Sequence, residues 1–321
     1  MSEKSEKFEK FEKIVIITKK TALEELIERF NTKDQARFYI EHMNLSFDEY
    51  EDSHNTYLDG LENLKKFLPL SIPYQFIERA FLPSFTFGER DLVITVGPDG
   101  LVVNTAKYLS GQKLLAFNPD PGRIDGVLVP FPISACNVIL KKVLSCNFRI
   151  KNISMAKAEL NDGQTLYGLN DLFIGHRSHV SARYYICHKK RGENQSSSGI
   201  IVSTGAGSTG WFRAIITGAV GMVSAFSKEK DINHIKGKYR FNWEADYLYY
   251  SVREPFISKS SQANMVFGKI EKGESLDITS SMPQNGVIFS DGIETDYLEF
   301  NSGSVARIGL AEKKLHLIYN E

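Results

Sequence analysis

The pattern of apolar and polar positions changes partway along this chain. In the first part, apolar runs at residues 14–18, 92–96 and 113–118 are separated by stretches with apolar residues at helical spacing. Uninterrupted apolar runs of this length are typical of parallel strands covered on both faces. We therefore predict a β-α-β arrangement here. The predicted helices cover about residues 22–43 and 54–67, and a further strand is predicted at 45–50.

From about residue 127 the chain becomes rich in short β-like runs separated by turns. A polar stretch at 193–198 predicts a surface loop, and one long helix is predicted from 208 to about 227. On that helix Trp211, Ile215, Ala219 and Met222 fall on one side. This pattern favours an antiparallel or mixed β domain. The predicted strands lie at 127–130, 148–151, 156–160, 184–187 and 199–202.

A dense cluster of turn residues, Asn-Pro-Asp-Pro-Gly at 118–122, separates the β-α-β pattern from the pattern of short β-like runs. A chain of 321 residues is long enough for about two domains. We predict an α/β domain over residues 1–125 and a β-rich domain over 126–300.

The central stretch of the first domain, residues 91–106, reads as a buried strand, a Gly97-Pro98-Asp99-Gly100 turn and a helix. Such a turn leaves backbone N–H groups at a helix N-terminus, where an anion such as phosphate is favoured. A carboxylate at an anion site suggests that Asp99 either accepts a proton or holds a metal ion. A plain turn with no function gives the same pattern.

A second glycine-rich turn, Thr204-Gly-Ala-Gly-Ser-Thr-Gly-Trp211, follows an apolar strand and opens the long helix. Its glycines and hydroxyls allow close approach of a ligand, and Ser208 or Thr209 could equally cap the helix. Because no Gly-Lys-Ser/Thr ends the turn, it is not a Walker A loop.

Further polar residues stand next to apolar runs. Asn170 and Asp171 precede a strand, where the amide and carboxylate suit the hydroxyls of a ribose, although for this pair taken alone an Asx turn entering the strand is the better explanation. Asp291, followed by Gly292, ends another run and either faces a site or forms a hairpin turn. His176 and His179 lack a third ligand nearby, so no metal site is predicted.

Composition narrows the class of protein. Lysine plus arginine and aspartate plus glutamate each total 39, and this balance favours neither nucleic acid nor an anionic membrane as the partner. The charged N-terminus lacks a signal core, and no run approaches the roughly 18–20 apolar residues of a membrane span. Three cysteines without a Cys-x-x-Cys pair indicate reduced thiols. We therefore expect a cytoplasmic protein.

The order of these motifs is more specific than any one of them. An Asp-Gly turn after a buried strand, then Asn-Asp, then a Ser-Thr-Gly-x-Gly-Ser-Thr segment between a strand and a helix, then a late Asp-Gly, resembles the NAD kinase family. The resemblance runs from about residue 91 to 296. It implies a Rossmann-like N-terminal α/β domain and a β-sandwich-like C-terminal domain with the active site in the cleft between them. It also implies that the C-terminal segment 301–321 packs back on the first domain.

The resemblance further implies Mg²⁺-dependent transfer of the ATP γ-phosphate to the adenosine ribose 2′-hydroxyl of NAD, by a homodimer or homotetramer. By position, Asp99 matches the catalytic base, and Gly97 and Gly100 match the phosphate turn. Asn170 and Asp171 match the pair that holds the ribose and adenine region. The remaining matches to nucleotide-binding positions are Thr204, Ser208, Thr209, Gly210, Trp211 and Asp291.

Four departures from the family pattern keep other functions open, and one of them is Leu101 in place of the threonine that usually follows the turn. Pro98 replaces the second glycine of the usual Gly-Gly-Asp-Gly and removes one N–H, which is compatible with a non-catalytic dinucleotide-binding protein. Ser198 stands where many relatives carry an acidic substrate contact, which is compatible with a kinase for another hydroxyl compound, such as a sugar or lipid. The pair at 170–171 is Asn-Asp, where Asn-Glu is common.

Overall fold

A computed structural model describes residues 10–226, 237 and 239–319. Contacts divide the described chain into two compact units. Unit 1 comprises residues 10–151 with 316–319, and unit 2 comprises residues 152–315. The division therefore falls after residue 151, not after 125, and of the C-terminal segment 301–319 only the last four described residues join unit 1.

Unit 1 is built on a parallel sheet in the strand order β2-β1-β3-β4. Residues 316–317, near the end of the last strand of the chain, pair in parallel with β4 on its other side. All four central positions of β1, and every residue of β3, are buried, as the uninterrupted apolar runs require. The elements of unit 1 are β1 (Lys13–Thr18), α1 (Ala22–Phe30), α2 (Lys33–His42), α3 (Asp48–Phe67), β2 (Tyr74–Glu78), β3 (Asp91–Val96), α4 (Asp99–Ala106), β4 (Lys113–Asn118), β5 (Phe131–Pro132) and α5 (Cys136–Leu144).

The segment after residue 125 belongs to unit 1 because it packs on the same core. Strand β5 pairs in parallel with the end of β4, where Phe117 lies opposite Phe131. Ile133, Cys136 and Leu140 are buried against the apolar residues of β3 and β4. The turn at 118–122 is therefore an excursion within the unit and not its exit. The strand predicted at 127–130 does not form, and this stretch is irregular.

Two predictions for the N-terminal helices are wrong. The helix predicted over 22–43 is two helices, because Asn31 adopts a left-handed conformation (φ 66°) and Thr32 caps α2 by accepting the Gln35 N–H. The strand predicted at 45–50 is the start of α3, whose first turn carries Asp48, Glu49 and Glu51. These acidic side chains favour a helix N-terminus.

Unit 2 consists of antiparallel sheets. One has six strands in the order β13-β12-β11-β8-β15-β16, and the other runs β10-β9-β14-β17, with β6 paired to β17 and β7 paired to β6. The elements are β6 (Arg149–Leu160), β7 (Thr165–Gly168), β8 (Asp171–His176), β9 (Ala182–His188), β10 (Arg191–Ser197), β11 (Ile200–Ser203), α6 (Trp211–Phe226), β12 (Tyr247–Val252), β13 (Phe267–Glu271), β14 (Leu276–Ser280), β15 (Gly286–Ser290), β16 (Ile293–Glu299) and β17 (Val305–Tyr319).

The core of unit 2 lies between these two sheets. Alternate residues of strands from both sheets, such as Ile174 and Leu248 from one and Ile186 and Ile278 from the other, form one buried apolar cluster. This inward and outward alternation is the period of two that a half-buried strand requires. The predicted α/β plus β-sandwich-like fold class is confirmed.

Strand β10 corrects the prediction of a surface loop at 193–198. Its polar sequence pairs with β9 in a hairpin whose turn residues, Lys189 and Lys190, both have positive φ. The inward side chains Glu193, Gln195 and Ser197 are buried. Glu193 accepts backbone N–H bonds from Asn264 (2.9 Å) and Met265 (2.9 Å). The strand is polar because its buried face anchors another segment of backbone.

We expect Glu193→Ala to lower the free energy of unfolding by about 2–4 kcal/mol, because buried donors lose a charged acceptor. Burial alone would raise the pKa of Glu193, but its hydrogen bonds outweigh that effect and lower the pKa. This contribution to stability is therefore lost as the pH falls through the folded-state pKa. Urea unfolding at pH 7 measures the change. Glu294→Ala, on an exposed position of β16, is the control, and equal effects of the two substitutions would contradict this account.

Helix α6 is the long apolar helix that the sequence predicts, but most of it is not buried. It begins at Trp211 after a short 3₁₀ turn at 207–209, and Phe212 is its one buried residue. Met222 is 64% exposed and Phe226 is 94% exposed. The apolar side of the helix therefore packs on unit 2 through Trp211 and Ile215, which contact the cluster of Phe173, Ile201 and Val287, and is exposed toward its C-terminal end.

Candidate functional site

In unit 1, the turn after β3 places the start of α4 at the carboxyl end of the parallel sheet. Pro98 is the N-cap residue of α4, with φ −74° and ψ 171°. Its missing N–H is one of the donors that a helix start leaves without an intrahelical partner. The Leu101 N–H donates to the Pro98 carbonyl at 2.9 Å. The N–H groups of Asp99 and Gly100 therefore remain at the helix start as candidate donors to an anion.

Asp99 is half-buried, and its carboxylate is held in a fixed direction. The Val127 N–H donates to Oδ2 at 3.0 Å and the Leu128 N–H donates to Oδ1 at 2.8 Å. Each carboxylate oxygen keeps a further lone pair for a ligand. A bound proton donor, such as a hydroxyl group, can therefore reach Asp99 without breaking these bonds.

The two glycines of this turn differ in their surroundings. A Cβ atom at Gly97 would lie 3.0 Å from the Leu101 side chain, so the turn packs tightly there. A Cβ atom at Gly100 would meet nothing within 4 Å. Gly100 is exposed, so the open space at the start of α4 is accessible to a ligand.

In unit 2, Asp291 determines the conformation of the turn that carries Asn170 and Asp171. Its carboxylate accepts the backbone N–H groups of Leu169 (3.0 Å), Asn170 (2.7 Å) and Asp171 (3.2 Å). The Asp291 N–H donates in return to the Asp171 carbonyl at 3.0 Å. The Asp291 backbone is left-handed, with φ 58°. Its carboxylate, which already accepts three N–H groups, therefore positions the turn.

Thr204 fixes the same turn from another direction. Its N–H donates to the Asn170 carbonyl at 2.9 Å, and its hydroxyl donates to the Leu169 carbonyl and accepts the Gly207 N–H at 3.2 Å. A Cβ atom at Gly207 would lie 1.9 Å from the Asn170 carbonyl oxygen. The glycine at 207 is therefore required by the close approach of two backbone segments.

We expect Gly207→Ala to lower the free energy of unfolding by at least about 2 kcal/mol, because either the 204–207 turn or the 169–171 turn has to move. Gly218→Ala is the matched control, since a Cβ atom there meets nothing within 4 Å. On the exposed side of a helix, that change should stabilise by up to about 1 kcal/mol. Thermal or urea unfolding compares the two variants, and equal changes would contradict the steric account.

Asp171 is a largely buried residue, and among the described residues no hydrogen bond to its carboxylate oxygens is found. The residue is only 5% exposed. Burial, and secondarily the charge of Asp291, raise its pKa from 3.8 to about 7. A buried acceptor without a donor is costly and is typical of a site completed by a ligand.

The other predicted residues of unit 2 surround the glycine-rich turn. The Ser208 hydroxyl donates to the Gly205 carbonyl at 2.7 Å, so it closes the turn and does not cap α6. The Gly210 N–H donates to the Gly207 carbonyl at 2.9 Å, and Thr209 is exposed beside it. The Trp211 ring stacks on Phe173 with 5.9 Å between centroids.

The histidine pair carries no metal geometry. His176 Nδ1 accepts the backbone N–H of Ser178 at 3.1 Å, and His179 is exposed. Across residues 10–226, 237 and 239–319, no group of three or more His, Cys, Asp and Glu side chains is placed to hold a metal ion. In the same residues, no helix is long and apolar enough to cross a membrane.

Sequence reasoning missed the backbone that holds Asp99. Asn118 ends β4 next to the end of β3, and Val127 and Leu128 follow in the same loop. The carboxyl ends of adjacent parallel strands meet at one edge of a sheet, so Asn118 could have been expected near Asp99. Its turn-rich surroundings were instead interpreted as a domain boundary.

Comparison with known proteins finds partial sequence matches and a shared fold. No protein-family model matches the chain. The NAD kinase of Paraburkholderia phymatum is 28% identical over 139 residues, which cover 41% of this chain and 46% of that protein. The NAD kinase of Ralstonia nicotianae is 26% identical over 128 residues, or 38% and 42% of the two chains. The matched segment thus spans less than half the length of these relatives.

Solved structures extend the likeness to nearly the whole chain. Yeast NADH kinase, in a crystal structure complexed with NADH, has a TM-score of 0.60 and 14% identity, covering 98% of this chain and 84% of that one. An NAD kinase from Archaeoglobus fulgidus, in complex with ATP, has a TM-score of 0.56 and 14% identity, with coverage of 96% and 94%.

The fold therefore defines a protein with a Rossmann-like α/β unit and a β-sandwich-like unit, both carrying polar turns at strand ends. This is the fold of the NAD kinases, and the resemblance to the NAD kinase family is confirmed by both the partial sequence match and the fold.

Proposed function

We propose that this protein is a kinase that transfers the γ-phosphoryl group of ATP to the adenosine ribose 2′-hydroxyl of NAD, giving NADP. The observation that carries the proposal is Asp171, a buried carboxylate without a donor on a turn fixed by Asp291 and Thr204. Sugar hydroxyl groups are the donors that a fixed carboxylate accepts in pairs. The NAD kinase resemblance supplies the identity of the sugar.

On the acceptor side, Asn170 and Asp171 are proposed to hold the ribose and adenine region of the dinucleotide. Their backbone is immobilised by the three N–H bonds to Asp291, so little entropy is lost when a ligand binds. Ser208 and Gly210 shape the adjacent turn, and Thr209 and Trp211 are proposed to lie beside the adenine.

On the phosphate side, the N–H groups at the start of α4 are proposed to bind the triphosphate, with Gly97 forming the tight turn and Gly100 leaving room for the phosphates. Because Mg²⁺ in nucleotide sites is bound mainly by substrate phosphates and water, it would be held chiefly by phosphate oxygens of the nucleotide. When bound there, Mg²⁺ neutralises charge on the transferring phosphoryl group.

Asp99 is proposed to act as the general base. Its carboxylate accepts the proton of the 2′-hydroxyl as the hydroxyl oxygen attacks the γ-phosphorus, and the bond from the γ-phosphorus to the β–γ bridging oxygen breaks to release ADP. The two N–H bonds from Val127 and Leu128 keep the accepting oxygens in one direction during this step. General bases of this kind contribute roughly 10²- to 10⁴-fold to rate.

An end-point assay of purified protein with ATP, Mg²⁺ and NAD tests the proposal, with NADP detected by an NADP-specific dehydrogenase. A parallel reaction with NADH is included because one structural relative is an NADH kinase. Formation of NADP or NADPH supports the proposal. A folded protein that forms neither, at any nucleotide concentration, contradicts it.

Pro98 gives a specific reason to consider a non-catalytic dinucleotide-binding protein, because one possible phosphate donor is missing. Its position argues for the kinase: as the N-cap residue, Pro98 precedes the N–H groups of Asp99 and Gly100, which remain. Thermal stabilisation by NAD without phosphoryl transfer would favour the binding protein. Homo-oligomerisation and a cytoplasmic location remain predictions, and light scattering of the purified protein measures the first.

A further inference from the structure

The loop between β4 and β5, residues 119–130, is organised by its own hydrogen bonds. The Asn118 side chain accepts the Asp120 N–H at 3.0 Å and donates to the Ile124 carbonyl at 2.9 Å. At the base of the loop, β5 pairs with the end of β4 and closes it. The loop is therefore a defined structure and not a free connection.

Gly126 sets the direction in which the loop continues toward Asp99. Its φ of +66° is left-handed, a conformation that favours glycine. A Cβ atom there would lie 2.7 Å from Asn118 Nδ2 and 2.8 Å from the Val129 side chain. The next two residues, Val127 and Leu128, present consecutive N–H groups to the two oxygens of Asp99.

This arrangement prevents the Asp99 carboxylate from competing with a phosphate group for the N–H groups at the start of α4. An acidic side chain in the first turn of a helix is attracted to the N–H groups of that turn. A carboxylate that occupied those groups would compete with phosphate for them. Here the loop supplies other donors, so the carboxylate is bound to backbone outside its own helix.

We propose that loop 119–130 is a positioning element that holds the Asp99 carboxylate away from the N–H groups of α4, so that one helix start serves both a base and a phosphate. Asn118 and Gly126 are positioning residues in this proposal, which rests on the proposed phosphotransferase function. Neither residue contacts a reacting atom. Their effect on the reaction passes through the direction of the carboxylate.

Amide hydrogen exchange tests the contact without any activity measurement. Val127 and Leu128 lie outside helices and strands, yet we expect their amides to be protected in the wild-type chain. Asp99→Ala should accelerate their exchange by about 10-fold or more, because their acceptor is removed. Arg123→Ala, which breaks only the exposed ion pair with Asp120 in the same loop, should leave it unchanged.

Steady-state kinetics tests the consequence. Asn118→Ala should lower kcat by about 10- to 100-fold, because a displacement of about 1 Å at a reacting group can lower the rate by up to about 100-fold. The KM for NAD should change by less than about threefold, because the proposed dinucleotide residues belong to unit 2. Asn118→Asp keeps the acceptor for the Asp120 N–H and should give an intermediate kcat.

The outcomes separate the two proposals. Exchange at Val127 and Leu128 that does not respond to Asp99→Ala overturns the loop contact, whatever the activity. An equal loss of kcat in Asn118→Ala and Arg123→Ala also overturns it. If exchange responds as expected but the wild-type chain transfers no phosphoryl group, the contact stands and its positioning role in phosphotransfer is overturned together with the proposed function.

Discussion

Asp99→Asn is expected to reduce NADP formation by about 10³-fold or more while leaving nucleotide binding in place. An amide cannot accept the hydroxyl proton at neutral pH, so the contribution of the general base is lost. The Asn carbonyl oxygen still accepts one of the N–H groups of Val127 and Leu128, so the turn is retained. The end-point assay measures the loss, and thermal stabilisation by NAD and by ATP measures binding.

Asp125→Asn is the matched control for this experiment. It makes the same chemical change on an exposed residue of the neighbouring loop, and we expect NADP formation within about twofold of the wild type. If Asp99→Asn retained most of the activity, the carboxylate would not be the base. Positioning and electrostatic stabilisation would then have to account for the rate.

Asp171→Asn is expected to stabilise the protein at pH 8 by about 2–4 kcal/mol and to weaken NAD binding. Burial, and then the charge of Asp291, raise the Asp171 pKa from 3.8 to about 7. Because the folded-state pKa lies above the unfolded-state value, the free energy of unfolding falls as the pH rises from about 4 to about 7. An amide carries no charge, so the variant escapes this loss.

The pH dependence gives the substitution a distinctive signature. The stability difference between Asp171→Asn and wild type should be largest above about pH 7 and should shrink as the pH falls toward about 4, because the folded-state carboxyl is then protonated and the unfolded-state carboxyl is becoming so. Urea unfolding between pH 4 and pH 8 measures it, and Asp59→Asn on the exposed side of α3 is the control. A difference independent of pH would contradict the assignment.

The binding part of this prediction has its own measurement. Loss of a charged acceptor for ribose hydroxyls should weaken NAD about 10-fold or more in calorimetry, since a hydrogen bond to a charged group contributes about 1.5–3 kcal/mol. Greater stability combined with weaker binding is the pattern expected where a buried charge is kept for a ligand. Unchanged NAD affinity would remove Asp171 from the proposed site.

Local pattern was enough to predict several elements and the candidate turns. The apolar runs of β3 and β4 are buried throughout their central residues, as a covered parallel sheet requires. Where the pattern failed, a specific local or tertiary feature was responsible. Asn31 and Thr32 split one apparent helix into two, and the polar residues of β10 are buried because Asn264 and Met265 supply donors to Glu193.

The sequence by itself determined the α/β and β-rich parts of the chain and the candidate turns, because periodicity and turn chemistry are properties of neighbouring residues. The order of the motifs carried the resemblance to the NAD kinase family, and that resemblance implied the active-site arrangement and the matched residues. Only the tertiary structure decided how those residues are held. Asp291 is bonded to the 169–171 backbone, Asp99 is held by Val127 and Leu128, and Asp171 is buried without a donor. Burial and hydrogen bonds between residues distant in sequence arise only on folding, so no local pattern encodes them.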